Sequence, residues 1–387
     1  MNINIPEKVK KITNELTEAG FEAYIVGGCV RDAILGVEPS DWDICTSAKP
    51  ADIKKCFAAY KTVDTGIKHG TVTVIIDHEP FEVTTYRIDG LYTDGRHPDS
   101  VTFTSEIKDD LSRRDFTINA MAYNRFAGLV DPFGGMADLA NRAIKCVGEP
   151  KARFDEDALR ILRALRFASV LGFEIEKETD MSVRKFSKLV QFVSKERVNV
   201  EFSKLLLGDH AKRILTDYRD EMMEATGLEL PMESMLGKMD TMPKDLPARL
   251  ALLFPANVMS CLKVLKYDNA TIRKAVAIDE LTAHPLPTDE TAVKRMLKKG
   301  GPEAVRGAFA VCEAFYVDTS EATAMLDHIL ETGECYSLEQ LAVSGEDLMD
   351  AGVAEGPQLG AKLNELLDAV IDGKVENDVE SLMRFCK

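Results

Sequence analysis

A chain of 387 residues exceeds what one compact core organises, so about two to four subdomains are expected. With 45% hydrophobic and 29% charged residues it is neither disordered nor fibrous, and it holds no uncharged apolar run long enough to span a bilayer. Its net charge of −16 excludes indiscriminate nucleic-acid binding, which depends on Lys and Arg neutralising phosphates.

The eight cysteines are scattered with no C-x-x-C pair, and the six histidines are equally dispersed. Neither a disulfide framework nor a zinc site is expected from such spacing. The segment MNINIPEKVKKITNEL lacks the apolar stretch of a secretory signal, so a cytoplasmic location is expected. Charge is uneven along the chain. Residues 151–210 carry 12 bases against 10 acids, whereas from Cys335 onward there are 11 acids against 4 bases. A polyanionic partner would therefore meet the middle of the chain.

In chain order, residues 21–26 (FEAYIV) read as a strand that closes on Gly27-Gly28 and is followed by the helix-like CVRDAILG. Asp41 to Cys45 begins a second strand. Residues 70–77 and 80–86 are rich in β-branched side chains, and the turn-like DHE joins them as a hairpin. Residues 89–98 (DGLYTDGRHP) read as a Gly- and Asp-rich loop. Beyond Pro150 the pattern becomes helical, as in DEDALRILRALRFASVLG, with apolar residues recurring every three or four positions. Pro and Gly clusters near 227–231, 284–287 and 300–302 punctuate it. The expected class is α+β: a small α/β head with a mixed sheet, followed by an all-α remainder.

Three clusters carry chemistry. On a strand, Asp41 and Asp43 of D-W-D point to one face, and two adjacent carboxylates repel unless a cation lies between them. Magnesium takes such hard oxygen ligands together with substrate phosphates. Glu82, on the following hairpin, is the third candidate carboxylate. An isolated D-x-D is more often an exposed acidic strand end, but Gly27-Gly28 shifts the balance. Free backbone N–H groups where a strand turns into a helix favour phosphate, and Arg31 reaches the same place. A phosphate cradle and a two-carboxylate metal site 14 residues apart describe a nucleoside-triphosphate transferase.

The second cluster is Arg113-Arg114-Asp115-Phe116-Thr117-Ile118-Asn119, where the arginines either clamp a triphosphate, with Asp115 orienting one of them, or begin a solvated helix. The third is Asp157 and Arg160, continued by Arg163 and Arg166, all expected on one face of one helix. An acceptor beside a donor suits the base edges of both cytosine and adenine, while uracil and guanine present the reverse order. The simpler reading of that pair is an intrahelical salt bridge.

The ordered segments GGCVRDAILGVEPSDWDICTSAKP, RRDFTINAMAYN, DPFGG, EDALRILRALRF and ERVNVE resemble the class II tRNA nucleotidyltransferases, the CCA-adding enzymes, in a superfamily shared with bacterial poly(A) polymerases. The resemblance implies that Gly28, Arg31 and Arg114 contact the nucleotide and that Asp41 and Asp43 hold Mg2+. It also implies that Asp157 and Arg160 read the base and that Arg163 and Arg166 add nucleotide contacts. A head (1–150), neck (151–208), body (209–330) and tail (331–387) are implied, with the tRNA 3′ end as acceptor, CTP and ATP as substrates, and neither DNA nor membrane as partner. Candidate tRNA phosphate contacts are Lys263, Lys266, Arg273, Lys274, Lys294, Arg295, Lys298 and Lys299. The residues 89–98 favour complete CCA addition. Alternatives are CC-only or A-only addition, poly(A) synthesis and, from another class, a non-catalytic RNA-binding relative.

Overall fold

Residues 3–64, 66–90, 92 and 99–386 are described by the computed structural model. Residues 91 and 93–98 of the expected 89–98 loop therefore lie outside the described residues. Among the described residues there are eleven strands: β1 (Ala23–Val26), β2 (Ile44–Thr46), β3 (Lys61–Val63), β4 (Thr71–Ile76), β5 (Glu79–Thr85), β6 (Arg87–Asp89), β7 (Val101–Phe103), β8 (Ala122–Asn124), β9 (Gly128–Val130) and the parallel pair β10 (Ala143–Ile144) and β11 (Glu174–Ile175). Seven of them make one sheet in the order β3-β4-β5-β2-β1-β8-β9, while β6 and β7 pair separately. The sheet is mixed, because β2 runs parallel to β5 and its other pairs are antiparallel.

The expected hairpin is present. Its turn residues Asp77 and His78 both have positive φ, 49° and 67°, as a two-residue type I′ turn requires. Along β4 the buried positions alternate, with Val72, Val74 and Ile76 turned to the core. All four residues of β1 are buried, so this strand is covered on both faces. Helices α1 (Glu7–Glu18), α2 (Gly28–Ile34), α3 (Pro50–Cys56) and α4 (Ile107–Ser112) are followed by α5 (Gly135–Ala140), which begins in the DPFGG turn. There Asp131 accepts from the N–H groups of Gly135 and Met136 at 2.7 and 2.9 Å, capping α5. A Cβ on Gly135 would lie 2.3 Å from the Thr117 carbonyl, so only glycine permits this approach.

The single helix expected across 155–172 is in fact two. α6 (Pro150–Glu156) ends at Asp157, whose backbone is extended at φ −147° and ψ 102°, and α7 (Leu159–Leu171) starts afresh. The cause is local competition for a backbone donor: the Asp157 carboxylate accepts from the Leu159 N–H at 3.1 Å. α8 (Lys177–Phe186) and α9 (Lys195–Leu206) continue the helical region.

The chain divides into two compact units, Met1–Leu205 with Asp217–Gly227, and Leu206–Thr216 with Leu228–Lys387. The second is helical throughout its described residues. Its longest helical run, Glu290–Ala314, kinks at Gly301, where φ is 75° and Pro302 follows. Arg249 is fully buried there and donates to the carbonyls of Leu206, Gly208, Met242 and Pro243. Among the described residues no helix is long and apolar enough to cross a membrane, and all eight cysteines are free.

A buried polar chain ties the first unit together. Asp115 is 7% exposed. One of its oxygens accepts from the Phe116 N–H at 2.8 Å and from Asn119 Nδ2 at 3.1 Å. The other takes Arg163 of α7 through Nε at 2.7 Å and Nη2 at 2.6 Å. Asn119 Oδ1 in turn accepts from Arg31 Nη1 of α2 at 2.6 Å. Arg163 also meets Glu201 of α9 at 3.5 Å, and Glu201 holds Arg166. Burial by itself would raise the Asp115 carboxyl, but Arg163, then Asn119 and Arg160, overcome it and hold its pKa below the ordinary carboxylate range. A depressed folded-state pKa contributes stability above the unfolded value near ~4 that is lost as pH falls through the folded one. Asp115→Asn is expected to cost about 2–4 kcal/mol at pH 7, and the deficit should shrink as pH drops below ~4. Urea unfolding of parent and variant across pH checks this, and a deficit independent of pH would contradict it.

Candidate active site

The acidic end of the site is built by strand register. β2 and β5 are parallel with Ile44 opposite Val83, so Asp43 and Glu82, each one residue earlier, come side by side. The Asp43 carbonyl accepts from the Val26 N–H at 3.0 Å, fixing the entry to β2 beside the end of β1. Asp41 and Asp43 precede β2 and do not lie on it, which corrects the expectation that both are strand residues. Burial raises the Asp43 carboxyl, Arg114 opposes this, and Asp41 and Glu82 raise it further. Asp41, Asp43 and Glu82 are exposed as whole residues although the Asp43 carboxyl itself is crowded by protein, and among the described residues Ser40 Oγ, at 3.2 Å, is bonded to Asp41. Neighbouring carboxylates of this kind offer the hard oxygen ligands that a divalent cation takes, although the oxygens of these three do not all lie within 4.8 Å of one another.

The phosphate side is built on the turn between β1 and α2. Gly27 has φ 83°, and a Cβ there would stand 2.8 Å from Arg114 Nη1. Glycine thus both permits the turn and makes room for an arginine from the loop after α4. Gly28 begins α2, and a Cβ on it would meet Arg31 Nη2 at 3.7 Å. Arg31 is held by Asp32 through Nε at 2.8 Å and Nη2 at 2.7 Å, opposite its bond to Asn119. Arg114 is held far less firmly. Its only ion pair among the described residues is to Asp110 at 3.5 Å, and its Nε is buried without a protein acceptor. An under-partnered guanidinium beside a glycine turn suits an incoming anion.

Arg113 behaves differently from its neighbour. It caps the end of α4, where a solvated helix start was the alternative, and Asp110 takes its Nε and Nη2 at 3.0 and 2.8 Å. Asp89 lies 3.5 Å from its third nitrogen. Asp115 orients Arg163, not either arginine preceding it in sequence.

Asp157 and Arg160 are not paired with each other. Asp157 Oδ2 accepts from Arg197 Nη2 of α9 at 2.7 Å. Arg160, 9% exposed, donates to Glu156 at 2.7 Å and to the Arg113 carbonyl at 2.9 Å. The helix break after Glu156 separates the two side chains that continuous periodicity would have stacked. Both nevertheless end up anchored: Asp157 by α9, Arg160 by α6 and the RRD segment. Arg163 and Arg166 are the two arginines held by Asp115 and Glu201. Sequence reasoning gave no role to Arg197, Glu201 or Asn119, although ERVNVE and RRDFTIN contain all three.

In the second unit, five of the eight bases expected on the RNA surface are already paired. Lys274 meets Glu303, Lys294 meets Glu334 and Arg295 meets Asp372, while Lys298 reaches Asp368 at 2.7 Å and Lys299 reaches Glu280 at 3.0 Å. Lys263, Lys266 and Arg273 are exposed. Among the described residues, the grouping of three metal-ligand side chains within 4.8 Å is Glu290, His328 and Glu334, away from Asp41 and Asp43 in sequence and with Lys294 already paired to its Glu334.

Known proteins with the same features are readily found. Residues 23–145 match the Poly A polymerase head domain family, residues 172–228 the "Probable RNA and SrmB- binding site of polymerase A", and residues 248–386 tRNA nucleotidyltransferase domain 2. The CCA-adding enzyme of Limosilactobacillus fermentum is 38% identical over 396 residues, covering 98% of this chain and 96% of its own. That of Enterococcus faecalis is 36% identical, covering 99% and 97%. The crystal structure of the Bacillus stearothermophilus CCA-adding enzyme in complex with CTP superposes with a TM-score of 0.83 at 32% identity, covering 99% of this chain and 97% of that one. With likeness running through both units and through every segment that builds the site, this chain belongs to the family of CCA-adding enzymes.

Proposed function

We propose that this chain adds C, C and A to the 3′ end of tRNA without a nucleic-acid template, using CTP and ATP and releasing pyrophosphate at each step. The observation that carries the reading is the juxtaposition of Asp41, Asp43 and Glu82 with the under-partnered Arg114 across the Gly27 turn. The full-length likeness to CCA-adding enzymes supports it. The RNA 3′-hydroxyl releases its proton to solvent and its oxygen bonds to the α-phosphorus of the triphosphate, as the bond from that phosphorus to the α–β bridging oxygen breaks and pyrophosphate leaves with that oxygen. Asp41 and Asp43 are the residues that would hold Mg2+, which when bound supplies Lewis-acid stabilisation of charge on the phosphoryl oxygens.

The remaining work belongs to the chain's own side chains, as positioning and charge dominate phosphoryl transfer. Gly28, Arg31 and Arg114 bind the triphosphate. Asp157 accepts from the exocyclic amino group of cytosine or adenine, and Arg160 donates to the adjacent ring nitrogen. Arg163 and Arg166 complete the nucleotide side of the pocket. Residues 1–150 act as catalytic head, 151–208 as base-reading neck, and 209–330 and 331–387 as body and tail. Lys263, Lys266 and Arg273 are the favoured tRNA phosphate contacts, since the other five candidates have carboxylate partners. The cytoplasm suits the reaction and keeps the eight free cysteines reduced.

Mg2+-dependent incorporation of labelled CTP and ATP into tRNA ending before CCA, after C and after CC tests the reading. Extension of all three acceptors with the correct nucleotide is expected; C without A, A without C, or a run of A would identify a partial enzyme or a poly(A) polymerase instead. In the same assay Asp41→Ala or Asp43→Ala should each reduce both CMP and AMP transfer by roughly a thousand-fold or more, with the fold retained. Near-parental turnover of either nucleotide would remove the metal site from these residues. Asp157→Ala should keep its Mg2+ dependence but lose about ten- to a hundred-fold of its preference for CTP and ATP over UTP and GTP, the cost of unpaired polar edges. Undiminished rejection of UTP and GTP would assign base choice elsewhere.

A further inference from the structure

Phe167 lies at the centre of the arginines assigned to the nucleotide. It is 4% exposed and set edge-on against Phe116, with ring centroids 5.8 Å apart at 84°. Around its ring stand three guanidinium groups: Arg31 at 4.9 Å, Arg163 at 5.5 Å and Arg166 at 3.8 Å from the centroid. All three distances fall within cation–π range. Arg163 and Phe167 are four residues apart on α7 and share one face of it, whereas Arg31 arrives from α2 and Phe116 from the RRD segment. One aromatic ring thus gathers side chains from three separate segments.

The carboxylates alone do not fix these arginines. Asp32 and Asn119 hold Arg31, Asp115 and Glu201 hold Arg163, and Glu201 holds Arg166. Arg166 makes the shortest ring contact of the three. Like charges packed this closely repel, and the electron-rich face of a buried ring offsets that repulsion without taking any of the N–H groups that the existing partners leave to a phosphate. A carboxylate in the same place would occupy those donors.

We propose that Phe167 is a positioning residue for the nucleotide triphosphate: its ring sets the spacing of Arg31, Arg163 and Arg166. The proposal rests on the reading that these arginines face the nucleotide. It assigns Phe167 no contact with the base, so CTP and ATP depend on it equally.

Steady-state kinetics of the full chain with tRNA acceptors test it. Phe167→Leu removes the π face and keeps an apolar side chain; KM for CTP and for ATP should each rise about tenfold, the scale of a lost cation–π contact set. KM for tRNA and kcat should stay within about twofold, because only binding shared by ground and transition states is removed. Inhibition by inorganic pyrophosphate should weaken in parallel. Phe167→Tyr, which retains the ring, should behave as the parent. A purely structural role would lower kcat, raise all three KM values and shift thermal unfolding together, and that pattern overturns the proposal, as do parental nucleotide KM values in the Leu variant or a Tyr variant as impaired as Leu. Should the Leu variant not fold, Phe167→Met supplies the same comparison. Failure of the parent itself to incorporate CTP or ATP would fall on the functional reading, not on Phe167.

Discussion

The arrangement of the site depends on burying positive charge beside negative charge from distant parts of the chain. Asp115 and Glu201 are 7% and 6% exposed, and between them they hold Arg163 and Arg166, while Asn119 links Asp115 to Arg31. An isolated buried charge is costly, so each carboxylate is stable only with its arginine in place, and each arginine keeps its direction only with its carboxylate. The segments concerned, residues 28–34, 113–119, 159–171 and 195–206, are far apart in sequence. Their mutual placement is therefore a condition of satisfying these charges, and the nucleotide site inherits that placement.

The same logic divides roles among arginines that look alike. Arg113 is held between Asp89 and Asp110 and uses its carbonyl to receive Arg160. Arg114, one residue on, keeps a buried nitrogen without an acceptor among the described residues and faces the Gly27 turn. In the second unit, too, pairing sorts structural from available cations. The acidic C-terminal region, puzzling for a protein of an RNA-modifying family, supplies Asp368 and Asp372 to Lys298 and Arg295 within its own unit. Two of its acids are thus offset by bases that precede the region, so the excess of 11 acids over 4 bases from Cys335 onward overstates what an RNA would meet there.

The sequence made the sheet hairpin, the helical remainder and the family legible, because period-two and period-three-to-four patterns and short glycine motifs are local signals. It was misleading where a side chain competes with regular structure. Asp157 looks like one more polar position on a long amphipathic helix, yet it caps Leu159 and ends the helix. Asp41 and Asp43 look like strand residues but precede β2, and register with β5, which no local pattern reveals, brings Asp43 to Glu82. The partners of Asp115 and Asp157 were illegible for a related reason. Arg163 is 48 residues from Asp115, and Arg197 is 40 from Asp157. Pairing at that separation is set by tertiary packing, not by spacing.

If the charge chain from Arg31 through Asn119, Asp115 and Arg163 to Glu201 acts as one unit, disturbing its two ends should not be independent. A double-mutant cycle with Asn119→Ala and Glu201→Gln, read out as CTP affinity by calorimetry, measures this directly. The structure predicts a coupling of about 1 kcal/mol or more between residues that do not touch, because both set the same arginines. Additivity within about 0.3–0.5 kcal/mol would mean that each arginine is placed by its own neighbour alone, and would contradict the account.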